Sequence, residues 1–249
     1  IQRLEDLAAE QPDAIAITCD GASITRRQLI DEGYSLAVHL AENGTREGDM
    51  VTVAVPNSID FFIAYVAAWR LGATPQPISS RLPQRELDAI LELANPSAIV
   101  GAEENAYNGR TCIPFGFRAP RRDASHLPYV TSAAWKAPTS GGSTGRPKLI
   151  VSGDPAELNP DAPPPLLMDP GGCLVMPGPL YHNGPAVWSC QALLNGLKVA
   201  LAIVLPTLVS SMKPITEASA VPLMTCTRKP TVGATAMRRA WGPITWLSD

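Results

Sequence analysis

The chain has 249 residues, of which 45% are hydrophobic, 17% charged and 6% aromatic. That composition supplies a sizeable core for one large or two small domains, and it is too apolar for a disordered chain. Twenty Lys+Arg against 23 Asp+Glu leave a net charge of −3, so bulk charge gives no attraction to nucleic acid or to a polybasic-type membrane contact. Five cysteines (Cys19, Cys112, Cys173, Cys190, Cys226) stand at irregular spacings without a C-x-x-C pair, and neither zinc nor a disulfide framework is signalled. No secretory leader pattern opens the chain. Apolar runs such as Val199 to Leu205 are far short of the ~20 residues of a membrane span. These features read as a reduced, cytoplasmic protein with no transmembrane segment. The first residue is Ile1 rather than Met, which raises the expectation of a fragment.

In chain order, Ala14 to Cys19 is a predicted strand and Asp20-Gly21 a hairpin turn. Thr25-x-x-Gln28 has the form of a capping box, opening a helix with Leu29, Ile30, Leu36, Ala37, Leu40 and Ala41 on its apolar face. Asn43-Gly44 closes it. Met50 to Val55 is a strand apolar on both faces, followed by a helix from Ser58 to Leu71 that stops at Gly72. Thr74 to Ile78 and Ala98 to Val100 are short strands flanking a helix from Pro83 to Ala94. This alternation predicts βαβ units and a parallel sheet with helices on its faces.

From Glu103 to Trp135 the pattern fades into a long surface connection, where Arg118, Arg121 and Arg122 read as a solvated face, with a binding patch as the alternative. Leu149 to Ser152 and Cys173 to Met176 are predicted strands, and Asn183 to Asn195 a helix closed by Gly196. A change follows near Val199. Residues 200–249 contain no Phe, Tyr, His, Asn or Gln, and carry five basic residues against two acidic ones, where the preceding 199 carry 15 against 21. Pro206, Pro214, Pro222 and Pro230 interrupt any helix there. Residues 1–199 are therefore expected to form a domain and 200–249 a divergent tail.

The segment Thr139-Ser140-Gly141-Gly142-Ser143-Thr144-Gly145-Arg146-Pro147-Lys148 carries most of the chemical information. Three glycines let backbone N–H groups approach an anion, hydroxyls add donors and Lys148 adds a positive charge, a combination suited to polyphosphate. A flexible surface turn is the plainer alternative. A Walker loop fails, because Arg146 stands where its second Gly is required, and G-x-G-x-x-G fails because Gly141 and Gly142 are adjacent. The hydrolase elbow G-x-S-x-G does match at Gly141 to Gly145, with Asp169 and His182 following in order. An elbow needs a buried strand before Ser143 and a helix after it. Trp135-Lys136-Ala137-Pro138-Thr139 is a poor buried strand, and Pro147 followed by Leu149-Ile150-Val151 favours a loop entering a strand.

Residues 139–148 resemble the signature loop of the adenylate-forming (acyl-CoA synthetase, or AMP-dependent synthetase and ligase) superfamily, roughly [ST]-S-G-[ST]-T-G-x-P-K-G. Ser140, Gly141, Ser143, Thr144, Gly145, Pro147 and Lys148 match, with Gly142 additional and Leu149 replacing the last Gly. Four further segments resemble the family in the right order: Ser23 to Leu29, with Arg27 where an aromatic is usual; Gly48 to Ser58; Trp69 to Pro75; and Pro179-Leu180-Tyr181-His182-Asn183-Gly184. The resemblance covers about residues 1–199, and the carboxylate–CoA ligase branch fits best.

What this resemblance implies is an α/β fold, the incomplete N-terminal part of the adenylate-forming architecture, with mostly parallel sheets flanked by helices. It implies ATP, Mg²⁺ and CoA as cofactors and a small carboxylic acid as substrate: the carboxylate attacks the α-phosphate of ATP, and CoA thiol then displaces AMP. Thr139, Ser140, Gly141, Gly142, Ser143, Thr144, Gly145 and Lys148 would hold the phosphates, with Thr144 near Mg²⁺, and Tyr181, His182 and Gly184 would line the acyl pocket. For His182 a satisfied loop histidine is the plain alternative. The family's Y-G-x-T-E segment, ribose-binding Asp, hinge and C-terminal catalytic Lys are not found in the 249 residues, so an inactive fragment of low solubility, ending in frameshifted or unrelated sequence, is expected. A non-catalytic nucleotide- or acyl-binding remnant, a partner subunit, and a serine hydrolase using Ser143 are the other readings. No motif selects one acid or an oligomeric state.

Overall fold

Charged and apolar residues alternate at helical spacing from the start of the chain, and they form α1 (Gln2–Glu10), which turns Leu4, Leu7 and Ala8 inward. The computed structural model describes residues 1–140, 147–159, 168–169 and 171–202. β1 (Ile15–Cys19) and β2 (Ala22–Thr25) form the expected antiparallel hairpin around Asp20-Gly21, both residues at positive φ. Thr25 caps α2 (Arg26–Glu42): its hydroxyl accepts from the Gln28 backbone N–H while the Gln28 side chain accepts from the Thr25 N–H. β3 (Met50–Val53), α3 (Ile59–Arg70), β4 (Thr74–Pro77), α4 (Gln84–Ala94) and β5 (Ala98–Val100) follow, each within a few residues of its predicted span. Asn95 ends α4 in the left-handed conformation.

β3, β4 and β5, with β6 (Thr111–Ile113), make an all-parallel sheet in the order β4-β3-β5-β6. β7 (Thr139–Ser140) and β8 (Lys148–Leu149) pair antiparallel. β9 (Cys173–Met176), α5 (Asn183–Leu194) and β10 (Lys198–Leu201) then return the chain to the first hairpin. β10 runs parallel to both β1 and β9, giving a second sheet in the order β2-β1-β10-β9. The single parallel sheet expected from the alternation is thus two sheets, because β1 takes its neighbour from residues 198–201 and not from β3. β10 also crosses the compositional change at 199.

Helix α3 touches strands of both sheets and packs along α2. This explains its composition: Phe61, Phe62, Ile63, Ala64, Tyr65, Val66, Ala67 and Ala68 are all buried, and a helix apolar on every side belongs between layers. Phe61 stacks on Tyr65 at 4.5 Å, and Phe62 and Trp69 extend the aromatic row edge-on.

The connection from 103 to 135 is more ordered than its composition suggests. Besides β6 it buries Ala124, Ser132 and Ala134. Its arginines are exposed, as a solvated face requires, and are paired as well. Arg118 pairs with Glu32 at 3.0 Å and Asp60 at 2.6 Å, Arg121 with Asp31 at 2.7 Å and Arg122 with Glu42 at 3.1 Å, so the trio straps the connection to α2 and α3.

Candidate functional site

The glycine-rich loop is held at the end of a hairpin. In the β7–β8 pair, Thr139 stands opposite Leu149 and Ser140 opposite Lys148. Residues directly opposite share a face, so the Ser140 hydroxyl and the exposed Lys148 ammonium project together from the mouth of the loop. Gly141, Gly142, Ser143, Thr144 and Gly145 lie outside the described residues.

The hairpin continues well beyond these four residues. Ile150 N–H donates to Pro138 O at 2.9 Å, Ser152 N–H to Lys136 O at 3.0 Å and Ala156 N–H to Ser132 O at 2.8 Å. Leu149 to Ser152, predicted as a strand, is therefore one arm of a ladder of which only Lys148–Leu149 is regular strand. The segment 135–139, which reads poorly as a buried strand, is the other arm. Lys136, Ala137 and Pro138 are buried, and the arm is stapled to the end of α3 and to β4: Trp69 Nε1 donates to Trp135 O at 2.8 Å and Ala137 N–H donates to Pro75 O at 2.9 Å. The Trp69-to-Pro75 segment thus sets where the hairpin sits.

This arrangement removes the geometry an elbow requires. The G-x-S-x-G letters are followed by β8, antiparallel to β7, and not by a helix. Asp169 and His182, both described, share no hydrogen bond or ion pair.

Tyr181, His182 and Gly184 lie where the chain enters α5. Asn57, after β3, fixes this approach twice: its Nδ2 donates to Gly178 O at 2.9 Å and its Oδ1 accepts from the Leu180 N–H at 2.8 Å. Two segments far apart in sequence, Pro56-Asn57 and Pro179 to Gly184, are brought together by that one side chain. Tyr181 and His182 have ring centroids 4.5 Å apart at a tilt of 51°. His182 occupies the N-cap of α5 without using its side chain as a cap, and its exposed imidazole makes no hydrogen bond among the described residues. It is therefore not a satisfied loop histidine within that frame. A Cβ at Gly184 would meet nothing within 4 Å, so local packing does not demand glycine there.

Lys136 joins the two halves. Its ammonium donates to Asn183 Oδ1 at the start of α5 and lies 4.4 Å from the Trp135 ring centroid. Along an extended arm alternate residues share a face, which places Lys136, Pro138 and Ser140 on one side. Burial holds the Lys136 ammonium below its ordinary pKa. Sequence reasoning missed Lys136 as a site residue; a lysine inside an otherwise apolar run was the available signal.

A cavity of about 830 Å³ is lined by Trp69, Tyr129, Trp135, Cys190, Gln191 and Leu194 among others, but by none of Thr139, Ser140, Lys148, Tyr181, His182 or Gly184. No cluster of three His, Cys, Asp or Glu able to hold a metal occurs among the described residues, and Thr144, the expected Mg²⁺ contact, lies outside them. No helix among the described residues is long and apolar enough to cross a membrane.

Among known proteins, isonitrile lipopeptide synthase of Streptomyces coeruleorubidus is 30% identical over 160 residues, 60% of this chain and 11% of that protein. Enterobactin synthase component F of Escherichia coli K12 is 28% identical over 173 residues, 61% of this chain and 12% of that protein. The chain thus spans about a tenth of the length of these relatives. In three dimensions the fold matches the Klebsiella oxytoca NpsA N-terminal subdomain with a TM-score of 0.67 at 21% identity, over 84% of this chain and 56% of that one. It also matches o-succinylbenzoate CoA synthetase from Bacillus subtilis with a TM-score of 0.65 at 18% identity, over 80% of this chain and 43% of that one. Residues 4–208 match the family described as AMP-binding enzyme, and the chain belongs to that adenylate-forming family.

Proposed function

We propose that this chain forms the nucleotide-facing part of an ATP-dependent carboxylate-adenylating site. The observation that carries the reading is the hairpin of 132–156, which presents Ser140 and Lys148 on one face and is tied through Lys136 to the Tyr181–Gly184 segment. In this reading Thr139, Ser140, the glycine-rich residues 141–145 and Lys148 take the β- and γ-phosphates of ATP. Pyrophosphate gains negative charge as it leaves, and preorganised donors aimed at that charge lower the barrier. The Thr144 hydroxyl contacts the Mg²⁺ that accompanies the nucleotide, and Tyr181, His182 and Gly184 border the acid. The acceptor of the acyl group is a thiol, with CoA as the acceptor favoured by the resemblance of residues 1–199 to the carboxylate–CoA ligase branch. Residues 1–199 carry the ligase-like part and 200–249 a tail that contributes no site residue.

Within these 249 residues the family's Y-G-x-T-E segment does not occur, so binding without turnover is expected of the polypeptide. Calorimetric titration with ATP and Mg²⁺ tests the site. Lys148→Ala should weaken binding at least tenfold, the scale of one charge-assisted hydrogen bond of about 1.5–3 kcal/mol. Folded wild-type protein that does not bind ATP, or a Lys148→Ala variant that binds equally well, would overturn the reading.

A further inference from the structure

Lys136 is 7% exposed, and no carboxylate lies within ion-pair distance of it among the described residues. A buried ammonium normally has a counter-ion or several acceptors, because leaving it without them costs free energy. Among the described residues, its three N–H donors find one hydrogen-bond acceptor, Asn183 Oδ1. An ammonium only donates, so Asn183 must turn its carbonyl oxygen to Lys136 and its NH₂ away. Asn183 is exposed, lies between His182 and Gly184, and its Nδ2 has no partner among the described residues. The result is an amide whose orientation is set from behind and whose two donors face outward from the segment assigned to the acid.

We infer that Lys136 is a positioning residue that locks the Asn183 amide with its NH₂ toward the acid, and that the acid carries a hydrogen-bond acceptor oxygen on its acyl group for that NH₂ to meet. The inference rests on the adenylation reading and deepens it from any carboxylic acid to an oxygen-bearing one. The asymmetry is physical: a site built to donate a hydrogen bond discriminates against a ligand that cannot accept it, since the donor is then desolvated without a partner. Without Lys136 the Asn183 amide rotates freely between its two orientations and the discrimination is lost.

The test uses acyl-sulfamoyladenosines, in which a sulfamate stands in for the acyl phosphate: benzoyl and its three monomethoxybenzoyl isomers, whose ether oxygen accepts a hydrogen bond but cannot donate one, titrated calorimetrically into the full chain. In wild-type protein at least one methoxy isomer should bind about three- to tenfold more tightly than benzoyl. Lys136→Met should bring that ratio to about one, and Lys136→Arg, which still offers only donors, should restore it. Asn183→Asp keeps an oxygen for Lys136 but removes the NH₂; it too should abolish the preference, and it serves if Lys136→Met does not fold. The ratio of two affinities is the readout because a purely structural loss lowers both together. ATP binding with no preference among the analogues in wild-type protein, or a preference that survives both Lys136→Met and Asn183→Asp, overturns this inference alone. Loss of ATP binding by folded wild-type protein instead removes the adenylation reading beneath it.

Discussion

Gly33 shows how one absent methyl group shapes the interior. It lies on α2 against α3, and a Cβ built there would come within 2.3 Å of Val66 Cγ1 and 2.7 Å of Val66 Cβ. Val66 is itself buried in α3 among the aromatic and aliphatic residues of the core. Glycine in mid-helix ordinarily costs about 1 kcal/mol relative to alanine, so its presence here reflects packing and not propensity. Gly33→Ala should therefore destabilise the protein by about 1–3 kcal/mol, the usual cost of overpacking, despite improving helix propensity. Urea unfolding monitored by circular dichroism reads this directly, and an unchanged or raised midpoint would show that α2 and α3 can part. Gly101 is constrained differently. Its φ is +105°, and a Cβ would lie 2.3 Å from the Ala54 carbonyl oxygen, so both conformation and contact select glycine.

At the scale of elements, the connection after β6 is anchored by Arg70 at the end of α3. The side chain is 4% exposed and donates to Pro128 O at 2.7 Å, Ala124 O at 2.8 Å and Leu127 O at 3.0 Å. Its guanidinium lies 5.3 Å from the ring centroids of both Tyr34 and Tyr129, whose hydroxyls donate to Glu5. Three acceptors on one turn of chain suit a planar fork of donors, which lysine does not offer. Arg70→Met should cost about 3 kcal/mol, since it leaves buried carbonyls unpaired, and should open residues 124–128 to limited proteolysis. A variant as stable and as protease-resistant as wild type would mean the segment is held by Ala124 packing alone. None of these partners is legible from sequence, because each bond spans more than 50 residues. What is legible is local. The Thr25–Gln28 capping box, the turn at Asp20-Gly21 and the helix end at Asn43-Gly44, with Gly44 at positive φ, are all coded within four residues, and each appears as read. α1 and the three-residue β6 went unassigned, the latter too short to show a period. The arm 135–139 misled because its pairing and burial come from β4, α3 and the return strand, while its own residues include Lys136 and Pro138, neither a strand former.

For the molecule as a whole, the interior contains ionisable groups that must remain neutral, and this sets how the fold responds to alkali. Cys190 on α5 is buried, and burial pushes its thiol from about 9.0 up to about 12, with Lys136 opposing the shift. Tyr65, at the centre of α3, is likewise raised by burial; outside the interior, half-buried Tyr34 and exposed Tyr129 are raised by partial desolvation and by their hydrogen bonds to Glu5. For each the folded pKa exceeds the unfolded one, so above pH 9 the unfolded chain begins to release protons that the folded chain retains. The contribution of Cys190 to stability is complete below pH 9 and is lost as pH rises to about 12, amounting to about 4 kcal/mol over three units at 1.36 kcal/mol each. Lys136 acts in the opposite sense: its folded pKa is lowered by burial, so its contribution improves as pH rises toward 10.5. The thiol and phenols outnumber it, and a net loss of stability from pH 9 upward is expected. Urea midpoints at pH 7, 9 and 11 should fall between the last two in wild-type protein. Cys190→Ala should begin lower at pH 7, because it enlarges the cavity that Cys190 lines with Trp69 and Trp135, yet fall less steeply between pH 9 and 11. Parallel profiles for the two proteins would place the alkaline transition on the tyrosines, which Tyr65→Phe then separates by removing the buried phenol while keeping the ring stacked on Phe61.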